Sequence, residues 1–594
     1  MGFFDDEARE IYDGKDIHEL NDIFTKNEEI AEKLRKLVPK AHQKIINENK
    51  DHDGDEEEVA INRAGNIRFK TDIVDIKSFQ QLSDVMKKSV QENKNVKAVG
   101  SFAAFSEVTE TNGYLLKPVT NSYVAKTDLQ LLNEETISQA KKDDIVYYDV
   151  KWGTRIFEIL PALKKDNRAF FNVGGWTGQD IVGVNATSTH GSGITLPPLC
   201  SLIVSVSMVV PGDKLYKVEP TNGITDPSKF SQKFPNITLI QDDKTFNAAV
   251  VTIGSLGVTY EVTVWTIPLY NIIERREEAT WTNVKSILKQ KPYSTNPYLK
   301  FRNTEIWISP YTDYALITLR DLATNEDVKN YSKPEAKELF QEFIALPVVQ
   351  EVSKVLSITV GGALYLLLLL FPAITPVVNE EALRSQYHKD PVADSYDLIY
   401  NPFGPGFVND FKVISVEFSF SMKDDNHILA TEAILKTLKE LQHKHNLCIH
   451  GPASMRFSAA SSQYLSMGNG SSDETRAYLE MIILVYDVWI DHYKRVFDSL
   501  TETALKYNAR CHWGQYFSPK LDHKYLMNAY GAQNVQSFIE QIMKFDPNGI
   551  MSNSLLKKLG LTPDGKVTDF GIWETIGEKF KDGLNEFTKV LTNL

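Results

Sequence analysis

Three observations predict a mixed α+β protein of more than one domain. The chain has 594 residues, more than a single hydrophobic core supports. From about residue 66 to 270, short apolar strands alternate with helices and are broken by glycine-rich stretches. From about 271 to 505, strands and helices lengthen and glycine thins out, as in an antiparallel sheet flanked by helices.

Taken in order, residues 1–65 read as a charged helical extension. Ile30, Leu34, Leu37 and Val38 keep helical spacing up to Pro39. Next, Asn49, Asp51, Asp53 and Gly54 resemble the start of a calcium loop. Glu56 and Ala60 occupy the positions where an apolar residue and a bidentate Glu are needed, so this is a solvated acidic loop and no metal site is expected. Between 66 and 270, strands are expected at TDIVDI, VKAVGS, YLLKPV, DIVYYDVKW, SLIVSVSMVV and GVTYEVTVWTI, with helices at SFQQLSDVMKKSVQEN and TRIFEILPALKKDN. Residues 271–505 hold the strands YALITLRD, KVISVEFSFSM and AYLEMIILVYDVWI and the helix HILATEAILKTLKELQHKHN. Residues 506–594 are short helices around HWGQYF that return to the first domain.

A hydrophobic share of 42% and an aromatic share of 11% suit a packed globular protein. The net charge of -13 argues against a nucleic-acid partner. Cys200, Cys448 and Cys511 are too far apart for a disulfide framework and suit a reducing compartment. The first residues show no basic-then-apolar signal, and Asp6 departs from the myristoylation pattern, so the expected location is cytoplasmic. The uncharged run 357–378 is long enough to span a bilayer but is cut by Pro372 and Pro376. It reads as a buried helix or the roof of an apolar cavity, with peripheral membrane contact and bilayer spanning the other roles open to it.

Three segments carry chemistry. Gly100, Ser101, Phe102, Ala103, Ala104 and Phe105 follow a strand at 95–99, and a turn of small residues there can aim amides at an anion. Gly174 to Gly193 packs six glycines among small hydroxyl residues, which suits close backbone approach to a ligand. It has neither the Rossmann nor the P-loop spacing. Third, a helix end near Thr245 and Phe246 runs through Gly254 and Gly257 into an alternating strand containing Val262.

In this order and spacing the three segments resemble the FAD-binding domain of the vanillyl-alcohol-oxidase (p-cresol-methylhydroxylase, PCMH) family. The likeness covers roughly residues 65–520. His512-Trp513-Gly514-Gln515 resembles the HWGK of aldonolactone and alditol oxidases. Gly451–Arg456 resembles the GPxEIR segment of covalent-flavin cholesterol oxidase, and a strand is expected over Glu305–Asp313. The resemblance implies a PCMH-type FAD-binding fold over 66–270 and a substrate-binding cap over 271–505. It implies FAD contacts at the first loop, at Gly175, Gly178, Gly183, Thr187, His190, Gly191 and Ser192, and at Gly257, Val262 and Trp513. His190 is expected to brace its glycine loop.

Departures from the family pattern refine these expectations. The linking His of covalent members is Ala103 here, so FAD is expected without a covalent bond. The Glu of EIR is Ser454, its Arg survives as Arg456, and the Lys of HWGK is Gln515. Hydride arriving at flavin N5 leaves negative charge that a fixed cation or aimed dipole stabilises. Arg456 and Gln515 are the candidates for that role, Ser454 stands at the site of the lost carboxylate, and His512 is the nearest replacement proton acceptor by type. The expected function is oxidation of a CH–OH group by FAD, with molecular oxygen or another electron acceptor as second substrate. The apolar run and the lost polar groups suggest a small lipophilic substrate, sterol- or terpenoid-like. The other readings are a flavin-fold protein that has lost redox chemistry and binds lipophilic ligands, and a catalyst of rearrangement.

Overall fold

The computed structural model describes residues 59–119, 122–332, 340–356, 359–370, 374–387, 391–399, 412–485 and 491–565. The predicted helix before Pro39 and nearly all of the acidic loop lie outside the described residues.

Two larger sheets build the first half, beside an antiparallel pair of Val59–Ile61 with Arg68–Lys70. A three-stranded parallel sheet places Tyr114–Pro118 between Asp72–Ile76 and Val96–Ala98. Its crossover helix, Phe79–Glu92, starts where the Ser78 hydroxyl accepts from the Gln81 amide and buries Leu82 and Met86. A seven-stranded sheet runs Ile237–Gln241, Leu215–Glu219, Ile203–Val209, Val258–Pro268, Val146–Lys151, Val124–Lys126, with Arg168–Ala169 paired to Val258–Pro268. Its strands are rich in β-branched residues that pack on a pleated surface.

The second half is an eight-stranded antiparallel sheet. Its order is Val392–Asp394, Asn271–Thr280, Tyr314–Leu322, Asn303–Ile308, Ala453–Ala459, Thr475–Val485, Lys412–Ser421 and Arg510–Cys511. Helices Asn426–His445 and Asp491–Leu505 pack on one another and against Lys412–Ser421. The two halves meet where the glycine-rich stretch touches this sheet: the Gly193 amide donates to the Phe457 carbonyl at 2.8 Å. The chain then returns to the first half, where the Val96 amide donates to the Ile550 carbonyl at 2.9 Å. The fold is thus α+β with two sheet-based halves and a site between them.

Three expectations change. The strand predicted over 305–313 ends at Ile308, because Ser309–Asp313 turns back into Tyr314–Leu322. The glycine-rich stretch is not wholly irregular: Ile181–Ala186 is a short helix, nucleated by Asp180, whose carboxylate accepts from the amides of Val182 and Gly183. The apolar run divides into Val360–Leu370 and the start of Thr375–Arg384. Ala363, Leu364, Tyr365, Leu367 and Leu368 are buried in the common core, and Val360–Leu370 packs against Thr475–Val485. None of the run's described residues lines the large cavity, so it is no roof over it. No helix among the described residues is long and apolar enough to cross a membrane.

Candidate active site

A cavity of about 1100 Å³ lies between the two halves. The first loop, Gly100–Phe105, forms one wall. Its carbonyls are turned away into protein: Phe102 accepts from the Arg63 amide at 2.9 Å, Ala104 from the Asn62 side chain at 2.8 Å, and Phe105 from the Asn66 side chain at 2.8 Å. Phe102 takes the left-handed conformation at φ 51° to make this turn. The amides of Gly100 to Ala104 have no protein acceptor among the described residues. The same holds for those of Gly175 to Gln179 on the second loop. Rows of unpaired amides facing a cavity form an anion-binding nest, which a diphosphate would satisfy. The helix start at Ile181 is not part of that nest, since Asp180 already occupies its amides and that of Gly153. Asp180 also explains Gly100: a Cβ there would lie 2.3 Å from the Asp180 Cβ.

Another wall of the cavity is a polar floor rising from the eight-stranded sheet. Glu417, Glu480 and Arg456 line it from adjacent strands, with Gln515, His512 and His190 closing its edge. Arg456 is held by Glu305: its Nε and Nη2 both lie 2.9 Å from Glu305 Oε1. Trp307 Nε1 donates to the same oxygen at 3.0 Å, and Arg320 stands 3.8 Å from the other. Burial alone would raise the Glu305 pKa, but Arg456 and then Arg320 outweigh it and hold the carboxyl at about 2. Arg456 is accordingly held charged against its own desolvation. Its guanidinium reaches the cavity beside Gly175, where a Cβ would sit 2.8 Å from Nη2. Gly175 is therefore small for the arginine's sake.

Gln515 Nε2 bridges two carboxylates, at 2.9 Å from Glu480 Oε1 and 3.5 Å from Glu417 Oε2. Its Oε1 is buried without a partner among the described residues. Glu417 also meets His190 Nε2 at 3.0 Å. Burial pushes Glu417 upward, yet His190, His512 and Arg456 together hold it well below the usual carboxylate range. Glu480 goes the other way, raised by burial and by the charge on Glu417. His512 Nδ1 accepts the Gly514 amide at 3.0 Å, and burial lowers its pKa to about 4.

Of the residues singled out in the sequence, Gly100 to Phe105, Gly175, Gly178, Gly183, Thr187, His190, Gly257, Arg456, His512 and Gln515 line the cavity. Five do not. Gly191 abuts Asn172, whose Oδ1 would lie 2.2 Å from a Cβ. The Ser192 hydroxyl donates to the Thr304 carbonyl. Val262 is core, mid-strand in Val258–Pro268. Trp513 is sealed between Phe517 and Tyr530, with its indole N–H on the Leu465 carbonyl at 2.8 Å. Ser454 donates to Glu305 at 3.2 Å, supporting the arginine's counter-ion. His512 fits poorly as a proton acceptor, because its Nδ1 lone pair is occupied and its neutral Nε2 carries the hydrogen. His190 does contact its glycine loop, through Nδ1 and the Gly191 carbonyl at 2.8 Å.

Sequence reasoning missed Glu305, Glu417, Glu480 and Lys97. Glu417, Glu480 and Lys97 are each a charge flanked on both sides by apolar residues in a strand, as in VEFSF and YLEMI, and that anomaly was the available signal. Lys97 also lines the cavity, with its Nζ on the Gly254 carbonyl at 2.9 Å. Its burial lowers the amine to about 7, which Asp546 opposes.

Comparison with known proteins decides the family. Residues 262–559 match the model of the D-arabinono-1,4-lactone oxidase family. The chain belongs to that family. Its members are FAD-dependent oxidoreductases, and the amide nest fits such a cofactor. L-gulono-1,4-lactone dehydrogenase of Mycobacterium tuberculosis is 22% identical over 438 residues, covering 73% of this chain and 84% of the relative. D-arabinono-1,4-lactone oxidase of Candida albicans is 22% identical over 389 residues, covering 64% and 61%. Mitochondrial L-galactono-1,4-lactone dehydrogenase 1 of Oryza sativa is 24% identical over 472 residues, covering 74% of each chain. Among solved structures, cholesterol oxidase from Brevibacterium sterolicum shares the fold with a TM-score of 0.63 at 12% identity, covering 85% of this chain and 96% of that one.

Proposed function

We propose that this aldonolactone-oxidase family member oxidises a CH–OH group of a small, hydroxyl-rich substrate such as a sugar lactone or polyol. The observation that carries this reading is the polar floor. Glu480, Glu417, Arg456 and Gln515 converge on one end of the cavity, and Gln515 Oε1 has no partner among the described residues. An apolar substrate would leave the Gln515 carbonyl oxygen unpaired at a cost of about 1–3 kcal/mol, whereas a hydroxyl would satisfy it. FAD supplies the hydride acceptor. Arg456 offers a fixed positive charge, oriented by Glu305, to the end of the cavity where negative charge develops. Gln515 adds an amide donor held by two carboxylates. The gap between the two halves confines the substrate against that floor and limits competing water.

One observation favours the lipophilic substrate suggested by the sequence: Phe157, Leu160, Pro161, Trp176, Val413 and Ile482 also line the cavity. That reading no longer draws on 357–378, whose described side chains lie elsewhere. FAD is held without a covalent bond, a proposal supported by Ala103 on the cavity wall and by a first loop that has neither His nor Cys.

The test uses purified full-length protein. Its visible flavin absorbance is expected to pass entirely into the supernatant on acid precipitation; colour retained in the pellet refutes the non-covalent proposal. Anaerobic bleaching of the flavin by lactones and polyols, and not by sterols, is expected. Bleaching by sterols alone moves the conclusion to the lipophilic reading. Oxygen consumption and peroxide formation then show whether oxygen or another acceptor completes the cycle.

A further inference from the structure

The strand register of the eight-stranded sheet shows where a missing carboxylate went. Ser454 occupies the position at which the resemblance leads one to expect Glu. In the sheet, Ser454 pairs directly with Glu480, and Glu480 pairs directly with Glu417. Side chains at paired positions point to the same face with Cβ atoms about 4.5–5.5 Å apart. A carboxylate is therefore present on the same face of the sheet, one strand over, and Glu480 lines the cavity where Ser454 does not.

We propose that Glu480 accepts the hydroxyl proton of the substrate, taking from the neighbouring strand the role that the serine cannot perform. The proposal rests on the alcohol-oxidising reading above. In the step, the substrate O–H bond breaks and its proton goes to a Glu480 carboxylate oxygen. The O–H electron pair becomes the second bond of the product C=O as hydride leaves the same carbon for the bound FAD. The substrate loses two electrons and FAD gains them.

The groups around Glu480 suit this role. Glu417 faces it from Lys412–Ser421, Arg456 from Ala453–Ala459, and His190 from the glycine-rich stretch. Gln515 faces it from the C-terminal HWGQ, while His512 lies beside Glu417. The net result is division of labour between the two carboxylates. Glu417 has His190 on one oxygen and stays ionised. Glu480 has Gln515 at 2.9 Å and feels the Glu417 charge, so a proton is more welcome on it. A Lys at 515 would neutralise that repulsion; a neutral amide preserves it.

Three variants test this. Glu480→Gln keeps shape and removes the acceptor, and anaerobic flavin reduction followed in one turnover is expected to slow about 100-fold or more. FAD content and substrate affinity should stay near wild type, and the acid limb of the reduction-rate profile should vanish. Moving the carboxylate back, as Ser454→Glu with Glu480→Ser, should recover at least about tenfold of the loss. Gln515→Lys should shift the acid limb to lower pH. An independent readout needs no turnover: pH-difference infrared spectra of the FAD-loaded, substrate-free protein should contain a carboxylic-acid band that Glu480→Gln abolishes. Unchanged reduction rate and profile in Glu480→Gln, or a band that survives that substitution, overturns the proposal. Failure of every alcohol to reduce wild-type flavin overturns the oxidation reading, and this inference with it.

Discussion

Replacing Arg456 by Met would separate the charge that faces the cavity from the counter-ion behind it. In the folded protein both Nε and Nη2 sit 2.9 Å from Glu305 Oε1, and the remaining cation, Arg320, is 3.8 Å from Oε2. A carboxyl held at about 2 in place of the ordinary 4.5 contributes about 3 kcal/mol at neutral pH. Breaking a buried pair by removing one partner costs about 3–5 kcal/mol, which agrees in size. The folded-state value is depressed, so the contribution is complete above pH 4.5 and disappears as pH falls towards 2. Arg456→Met is therefore expected to lose up to about 3 kcal/mol in urea unfolding at pH 7 and progressively less as the pH falls below 4.5. Adding Glu305→Gln should restore at least half of the loss, since no buried charge is then left alone. Wild-type stability at pH 7, or a loss that does not change with pH, would refute the claim that Glu305 is held ionised by this arginine. Flavin reduction measured in the same proteins should remain slow in the double variant, because stability is repaired and the cavity charge is not.

Two other substitutions probe the walls. Gly175→Val places a side chain where Arg456 Nη2 would be 2.8 Å from its Cβ; slow flavin reduction with FAD still bound is expected, and full activity would show that the guanidinium moves aside freely. Lys97 is held at about 7 against an ordinary 10.5, so between those values the unfolded chain alone binds its proton and stability rises with pH. Lys97→Met should flatten that rise in FAD-free protein, and an unaltered stability-against-pH curve would contradict the burial of this amine.

The loops that line the cavity were legible because their signal is local. A small-residue turn after a strand and six glycines within twenty positions report a backbone that something must approach closely, whatever lies elsewhere in the chain. At Gly191 and Ser192 the same composition marks close approach by Asn172 and Thr304 instead, and Trp513, singled out by the resemblance, fills core. A glycine says that space is needed and does not say for what.

Sequence alone determined the α+β character, the order of most strands and helices, and the segments that form the amide nest. Each follows from the period of apolar residues or the conformational freedom of small ones, within one stretch of chain. Tertiary structure alone decided the polar floor. Glu305, Glu417, Arg456, Glu480 and Gln515 are scattered over more than two hundred positions, and antiparallel register brings four of them together on adjacent strands. Whether a carboxylate stays ionised depends on which cation or second carboxylate lies within a few ångströms, at distances that no sequence spacing encodes.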